Sequence, residues 1–258
     1  MGGEETTHAT RQSGPELTVV MPVYNEGGTI ARVVRSWMGE LDRLHISYEF
    51  LAYDDGSRDE TADVLKLLAQ TNPRLAVKSH ANIGHGPTIL AGYHEAVGEW
   101  VFQVDSDDEM TPDSFEQLWS CRADHDLLLG CRKDRQSPLG RRIISAGSRA
   151  IVSALFGAGV WDVNTPYRLI RRSALRGMLP SIPPTTFAPN VIMAGLAMKD
   201  RLRIRQIWVP HQPRRVGTGS IVGARQWKAA IRCAVETAAV AVRMRGSSNR
   251  SVPLKHAD

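Results

Sequence analysis

Residues 100–113 read WVFQVDSDDEMTPD. Val101, Phe102 and Val104 form the apolar run of a short buried strand. Asp105, Ser106, Asp107, Asp108 and Glu109 follow without a break. Thr111 and Pro112 then supply a capping hydroxyl and a proline suited to the first helical position. Four acids within five residues at the end of a buried strand repel and raise one another's pKa. A bound divalent cation removes that cost. Hard cations such as Mg²⁺ and Mn²⁺ take carboxylate oxygens, tolerate few protein ligands and leave positions for phosphate oxygens. The plain alternative is a solvated acidic turn capping a helix, and an isolated DSD would favour it.

The flanking sequence shifts that balance. Leu17 to Met21 is an apolar run ended by Pro22, and Val23-Tyr24-Asn25-Glu26 follows. An amphipathic pattern covers about 28–44, and Tyr48 to Tyr53 reads as a second strand ending in Asp54-Asp55-Gly56-Ser57-Arg58-Asp59-Glu60-Thr61. Ser57 or Asp59 can cap a helix at about 59–71. Leu75 to Ser79 is a third strand, ended by Asn82-Ile83-Gly84-His85-Gly86-Pro87, and a helix follows at about 87–97. Strands alternating with helices at this spacing predict an α/β fold: a doubly wound, mostly parallel sheet with helices on both faces. Ligands bind such sheets beyond the carboxyl ends of the strands. PVYNE, DDGSRDET, NIGHGP and DSDDE all fall there.

The second half is less regular. Asp126 to Gly130 reads as a fifth strand, ended by Cys131-Arg132. Leu139 to Phe156 is helical and carries Arg141, Arg142 and Arg149. Residues 161–166 form a loop leading to Tyr167-Arg168, Pro180 to Pro189 a loop or lid, 190–199 a helix and 203–209 a strand. His85 and His211 read as loop and surface histidines. One domain over 16–220 is expected, followed by a helix over 221–245, between polar tails at 1–15 and 246–258 that read as disordered. On that last helix Trp227, Ile231, Ala234, Val235, Ala238 and Val242 share one face. The expected role of that face is packing on the domain or on a second subunit; the sharper reading lays it at a membrane surface.

Among 258 residues the formal charge is +5, carried largely by arginine, which suits bidentate grip on phosphates or carboxylates. No basic run with interleaved aromatics points to nucleic acid. Three scattered cysteines give no disulfide framework and no zinc spacing, the N-terminus has no apolar leader, and no 18-residue apolar run is present. These features point to a reducing, cytoplasmic setting, with contact at most peripheral to the cytoplasmic face of a membrane.

TVVMPVYNE, YDDGSRDET, NIGHGPTILAGYHEAVGEW, QVDSDDEM and DVNTPYRLIRR, in this order, resemble the family 2 glycosyltransferases of the GT-A fold. Among these the chain is most similar to the polyprenyl-phosphate sugar transferases. The resemblance implies a GDP- or UDP-sugar donor bound by Pro22, Tyr24, Glu26, Asp54, Asp55, Gly84, Asp105, Ser106, Arg215 and Ser220. It implies Mn²⁺ or Mg²⁺ on Asp105 and Asp107, with Glu109 where that subgroup often has a Gln ligand. It places Arg132, Arg141, Arg142 and Arg168 on the phosphate of a polyprenyl or dolichyl acceptor. A lipid phosphate needs no general base; a soluble hydroxyl acceptor would, and Asp162 is then the candidate. A nucleotide-sugar-binding protein without catalysis is the third reading.

Overall fold

The computed structural model describes residues 14–132, 139–210 and 224–248. The elements run β1 (Leu17–Val23), α1 (Ile30–Arg43), β2 (Tyr48–Asp54), α2 (Thr61–Thr71), β3 (Leu75–Ser79), α3 (His85–Glu95), β4 (Trp100–Gln103) and α4 (Phe115–Ser120). They continue with β5 (Leu127–Arg132), α5 (Leu139–Phe156), β6 (Arg168–Arg171), α6 (Arg172–Met178), α7 (Pro189–Lys199), β7 (Ile204–Val209) and α8 (Ala224–Ser248). The seven strands form one sheet in the order β3-β2-β1-β4-β6-β5-β7.

Every pairing is parallel except those of β6, which runs antiparallel to both β4 and β5. Nothing in the sequence pattern marks Arg168 to Arg171 as a strand. Arg168, Leu169 and Ile170 are fully buried there, so the segment is an interior strand despite its charges. Because β6 enters from the ligand side of the sheet, the loop before it, with Asp162 and Asn164, joins the same edge as the ends of β1 to β5.

Alternation along β1 divides the core. Leu17, Val19, Met21 and Val23 face α1 and α2, together with Trp37, Phe102, Phe115 and Tyr167. Val20 faces the other way, with Val101, Leu129 and Ile170, onto α3, α5, α6, α7 and α8. Phe102 stands edge-on to Phe115 and Tyr167 at centroid distances of 4.7 and 5.0 Å, so truncating it would remove about 3–5 kcal/mol. This packing fixes β4, and with it the acidic turn.

The last helix does not turn its apolar stripe onto the domain. It packs through Cys233, Thr237, Val240 and Ala241, which are buried, while Trp227, Ile231, Val235 and Val242 point outward. Small side chains let α8 approach α5 and α7 closely, and the Thr237 hydroxyl donates to the Cys233 carbonyl at 2.7 Å.

Candidate active site

A cavity of about 370 Å³ opens across four strand ends. Its walls are Pro22 and Val23 at the end of β1 with Tyr24 and Glu26 beyond it, Asp55 after β2, Asn82, Gly84 and His85 after β3, and Asp105, Ser106 and Asp107 after β4. Local bonds explain the convergence. The Asp55 carboxylate accepts the backbone N–H of Ile83 at 2.7 Å and of Gly84 at 3.0 Å, tying the β3 loop to the β2 end. Gly84 has φ +96°, a backbone region that favours glycine, and α3 starts at the next residue. Glu26 donates its N–H to Thr61 Oγ1 and accepts from the Thr29 hydroxyl at 3.1 Å.

Asp105 is held from two sides. Gln103, wholly buried on β4, donates from Nε2 to Asp105 Oδ1 at 3.1 Å. The Gln103 carbonyl oxygen in turn accepts from Tyr93 Oη at 3.2 Å and from Asn190 Nδ2 at 2.9 Å. From the solvent side, His85 Nε2 meets the same Asp105 oxygen at 3.1 Å. Crowding opposes charge on His85, but Asp105, and then Asp107 and Asp55, outweigh it and raise the imidazole's pKa. Burial likewise opposes ionisation of Asp105, yet His85, Arg132 and Gln103 hold its pKa below the usual carboxylate value. The turn then alternates: Ser106, Asp108 and Met110 are buried, while Asp105, Asp107 and Glu109 are partly open. Asp108, at φ +60°, turns away to pair with Arg32 at 2.8 Å.

A second cavity of about 190 Å³ shares His85 and Asp105 with the first and adds Arg132, Asn164, Pro166 and Asn190. Arg132 grips Asp162 with two bonds, Nε to Oδ2 at 2.8 Å and Nη2 to Oδ1 at 3.0 Å. Burial opposes the Arg132 charge, but Asp162, then Asp105 and Glu109, hold it firmly protonated. Asn190 Oδ1 is buried without a hydrogen-bond partner among the described residues. A third cavity of about 210 Å³ between α5, α7 and α8 shares Asn164, Phe187 and Ala188 with the second.

Several expected residues lie elsewhere. Arg168 is fully buried and lines none of these cavities; its guanidinium donates to the carbonyls of Thr165, Asn190 and Val163. Its donors are therefore spent on the backbone, and desolvation lowers its pKa. Asp54 is buried and accepts the Ser57 N–H at 3.1 Å, so it holds the β2 turn, not the cavity wall. Glu109 lines none of the three cavities and contributes to the field on Arg132. Asp162 is no isolated base, being paired with Arg132. Arg141 and Arg142 fall in the first turn of α5, with their side chains outside the described residues; Arg215 and Ser220 lie outside them entirely. Gln103 carries no expectation from the sequence, and His85, expected to be a plain loop residue, instead meets Asp105. A glutamine inside a buried strand is the signal for the first; nothing local marked the second, which α3 brings to Asp105.

Among the described residues no three carboxylate, imidazole or thiol groups gather closely enough to hold a metal ion by themselves. Asp105 and Asp107 do share one wall of the first cavity. Two carboxylates facing open space suit a hard cation whose remaining positions go to phosphate oxygens.

Residues 18–179 match the model of Glycosyl transferase family 2. Undecaprenyl-phosphate 4-deoxy-4-formamido-L-arabinose transferase from Sodalis glossinidius is 29% identical over 205 residues, 78% of this chain and 61% of that one. The enzyme of the same name from Pseudomonas aeruginosa (strain LESB58) is 30% identical over 184 residues, 70% and 54% of the two chains. This chain thus spans less than two thirds of such relatives. Among solved structures, glucosyl-3-phosphoglycerate synthase from Mycobacterium tuberculosis, in complex with phosphoglyceric acid, superposes with TM-score 0.64 at 19% identity, covering 88% of this chain and 80% of that one. Mannosyltransferase PcManGT from Pyrobaculum calidifontis, in complex with GDP-Man and Mn²⁺, gives TM-score 0.59 at 19% identity, covering 90% and 65%. At that identity the likeness establishes the GT-A fold alone.

Proposed function

Because this chain belongs to glycosyl transferase family 2, we propose that it moves a sugar from a nucleoside diphosphate sugar to a polyprenyl phosphate, with inversion at the anomeric carbon. The observation that carries this reading is the shared wall between the two cavities. Asp105 and His85 border both the pocket formed by the first four strand ends and the smaller one that holds Arg132. A donor in the first and an anionic acceptor in the second would meet at that wall.

Tyr24, Pro22, Glu26 and Asp55 line the first cavity and not the second, which holds Arg132, and they suit the nucleoside. Asp55 already accepts two backbone N–H groups, so a base or ribose donor would use its remaining lone pairs. Asp105 and Asp107 would hold Mn²⁺ or Mg²⁺, and the ion would supply positive charge for the donor's diphosphate. Gln103 keeps the Asp105 carboxylate in one orientation before substrate arrives. Arg132, fixed by Asp162, presents a permanent cation to an acceptor phosphate. A phosphate monoester is already nucleophilic near neutral pH, so the chemistry asks for no free base, and none is offered at Asp162. The names of the sequence relatives, which act on undecaprenyl phosphate, support the same acceptor class.

The test is a panel of UDP- and GDP-sugars with Mn²⁺, read by nucleoside diphosphate release, with and without undecaprenyl phosphate. Labelled sugar entering the organic phase supports the lipid acceptor. Diphosphate release with label confined to water, in the presence of small phosphorylated acceptors, would replace it with a soluble one. No turnover with any donor would leave a binding protein.

A further inference from the structure

We infer that the outward face of α8 is a docking surface for an anionic lipid bilayer. The helix buries Cys233, Thr237, Val240 and Ala241 and leaves Trp227, Ile231, Val235 and Val242 in solvent, three of them more than 60% exposed. Their spacing of four, four and seven residues keeps them on one stripe, about 22 Å long at 1.5 Å per residue. A water-facing stripe of this length is costly unless something covers it, and within this chain nothing among the described residues does.

Charge selects the occupant. Lys228, Arg232, Arg243 and Arg245 are exposed on the same helix, against a single acid, Glu236. Arg232 is already engaged, bonding Glu236 at 2.8 Å and lying over the Phe187 ring. Lys228 and Arg243 have no ion-pair partner among the described residues. An apolar stripe ending in a tryptophan and bordered by unpaired cations matches lipid tails beneath anionic headgroups. A second copy of this chain would bring the same cations face to face. Position agrees as well: the opposite flank of α8, through Gln226, Ala229, Ala230 and Cys233, walls the third cavity. That cavity joins the second at Asn164, Phe187 and Ala188. A helix seated in the headgroup layer would therefore hold the acceptor side of the site beside the membrane. Docking is measurable without donor or acceptor, so its failure would leave the transfer reaction standing.

The experiment is vesicle flotation of the full chain with phosphatidylcholine alone and with about one third phosphatidylglycerol. The expected result is binding to the anionic vesicles, weakened by salt, and reduced about tenfold in Ile231→Asp/Val235→Asp and in Lys228→Glu/Arg243→Glu. All four positions are solvent-exposed, so thermal unfolding should stay at the wild-type temperature. Transfer to a short, water-soluble prenyl phosphate should be unchanged. Absence of binding, equal binding to both vesicles, or a concentration-dependent dimer that only the apolar variant dissolves would overturn the inference, the last in favour of a second copy on the stripe.

Discussion

Arg132 and Asp162 face each other through two hydrogen bonds of 2.8 and 3.0 Å, both side chains nearly withdrawn from solvent. The pair joins the end of β5 to the loop before β6, and it leaves Arg132 on the wall of the second cavity. Asp162 therefore serves as the anchor of a cation. A carboxylate so tied is a poor proton acceptor.

Asp162→Asn preserves the shape and removes the charge. Arg132 then loses its fixed direction. The expected outcome is a roughly 10- to 100-fold loss in kcat/KM, mainly as a higher KM for the acceptor, with the pH profile unchanged in form. Steady-state kinetics across pH checks this. A loss confined to kcat, with the acid limb displaced, would make Asp162 the base.

His85 and Asp105 give a pH signature in the metal-free protein. The raised pKa of His85 makes its stabilising share complete below its ordinary value of 6.5, and that share is lost as pH rises through the raised folded value. Asp105 has a lowered pKa, so its share is present above 3.8 and disappears as pH falls through the lowered folded value. The difference in Tm between wild type and His85→Asn, with chelator present, should be largest between 3.8 and 6.5 and vanish at alkaline pH. A constant difference would mean that the ring only packs.

Arg168 acts through the fold. Its guanidinium donates to the carbonyls of Val163 and Thr165 in the loop before β6 and of Asn190 on α7. Arg168→Met should cost about 3 kcal/mol or more, seen in denaturant unfolding. The fraction that remains folded should keep its KM for acceptor. An unchanged stability with a raised acceptor KM would return Arg168 to the phosphate site.

Much of this was legible in the chain. The four strand ends could be read because each is an apolar run broken by a polar cluster, and the parallel sheet brings such ends together. β6 was not, because Arg168 and Arg171 flank only Leu169 and Ile170; what satisfies the buried Arg168 is two carbonyls of the preceding loop together with that of Asn190 on α7. Asp54 and Asp55 look equivalent, and only the turn geometry sends one to Ser57 and the other to the cavity. On α8, helical spacing marks the apolar stripe, but packing went to the side with the smaller residues. Hydrophobicity alone does not tell which side will lie closest to α5 and α7.

We propose that Asp105 and Asp107 together hold the cation that meets the donor's diphosphate. Electron paramagnetic titration of Mn²⁺ into the protein, with a nucleoside diphosphate sugar present, tests it most directly. Wild type should bind one Mn²⁺ far more tightly with the nucleotide than without, and Asp107→Asn should lose about 100-fold of that affinity. Equal Mn²⁺ affinity in wild type and in the Asp105→Asn/Asp107→Asn variant would contradict it.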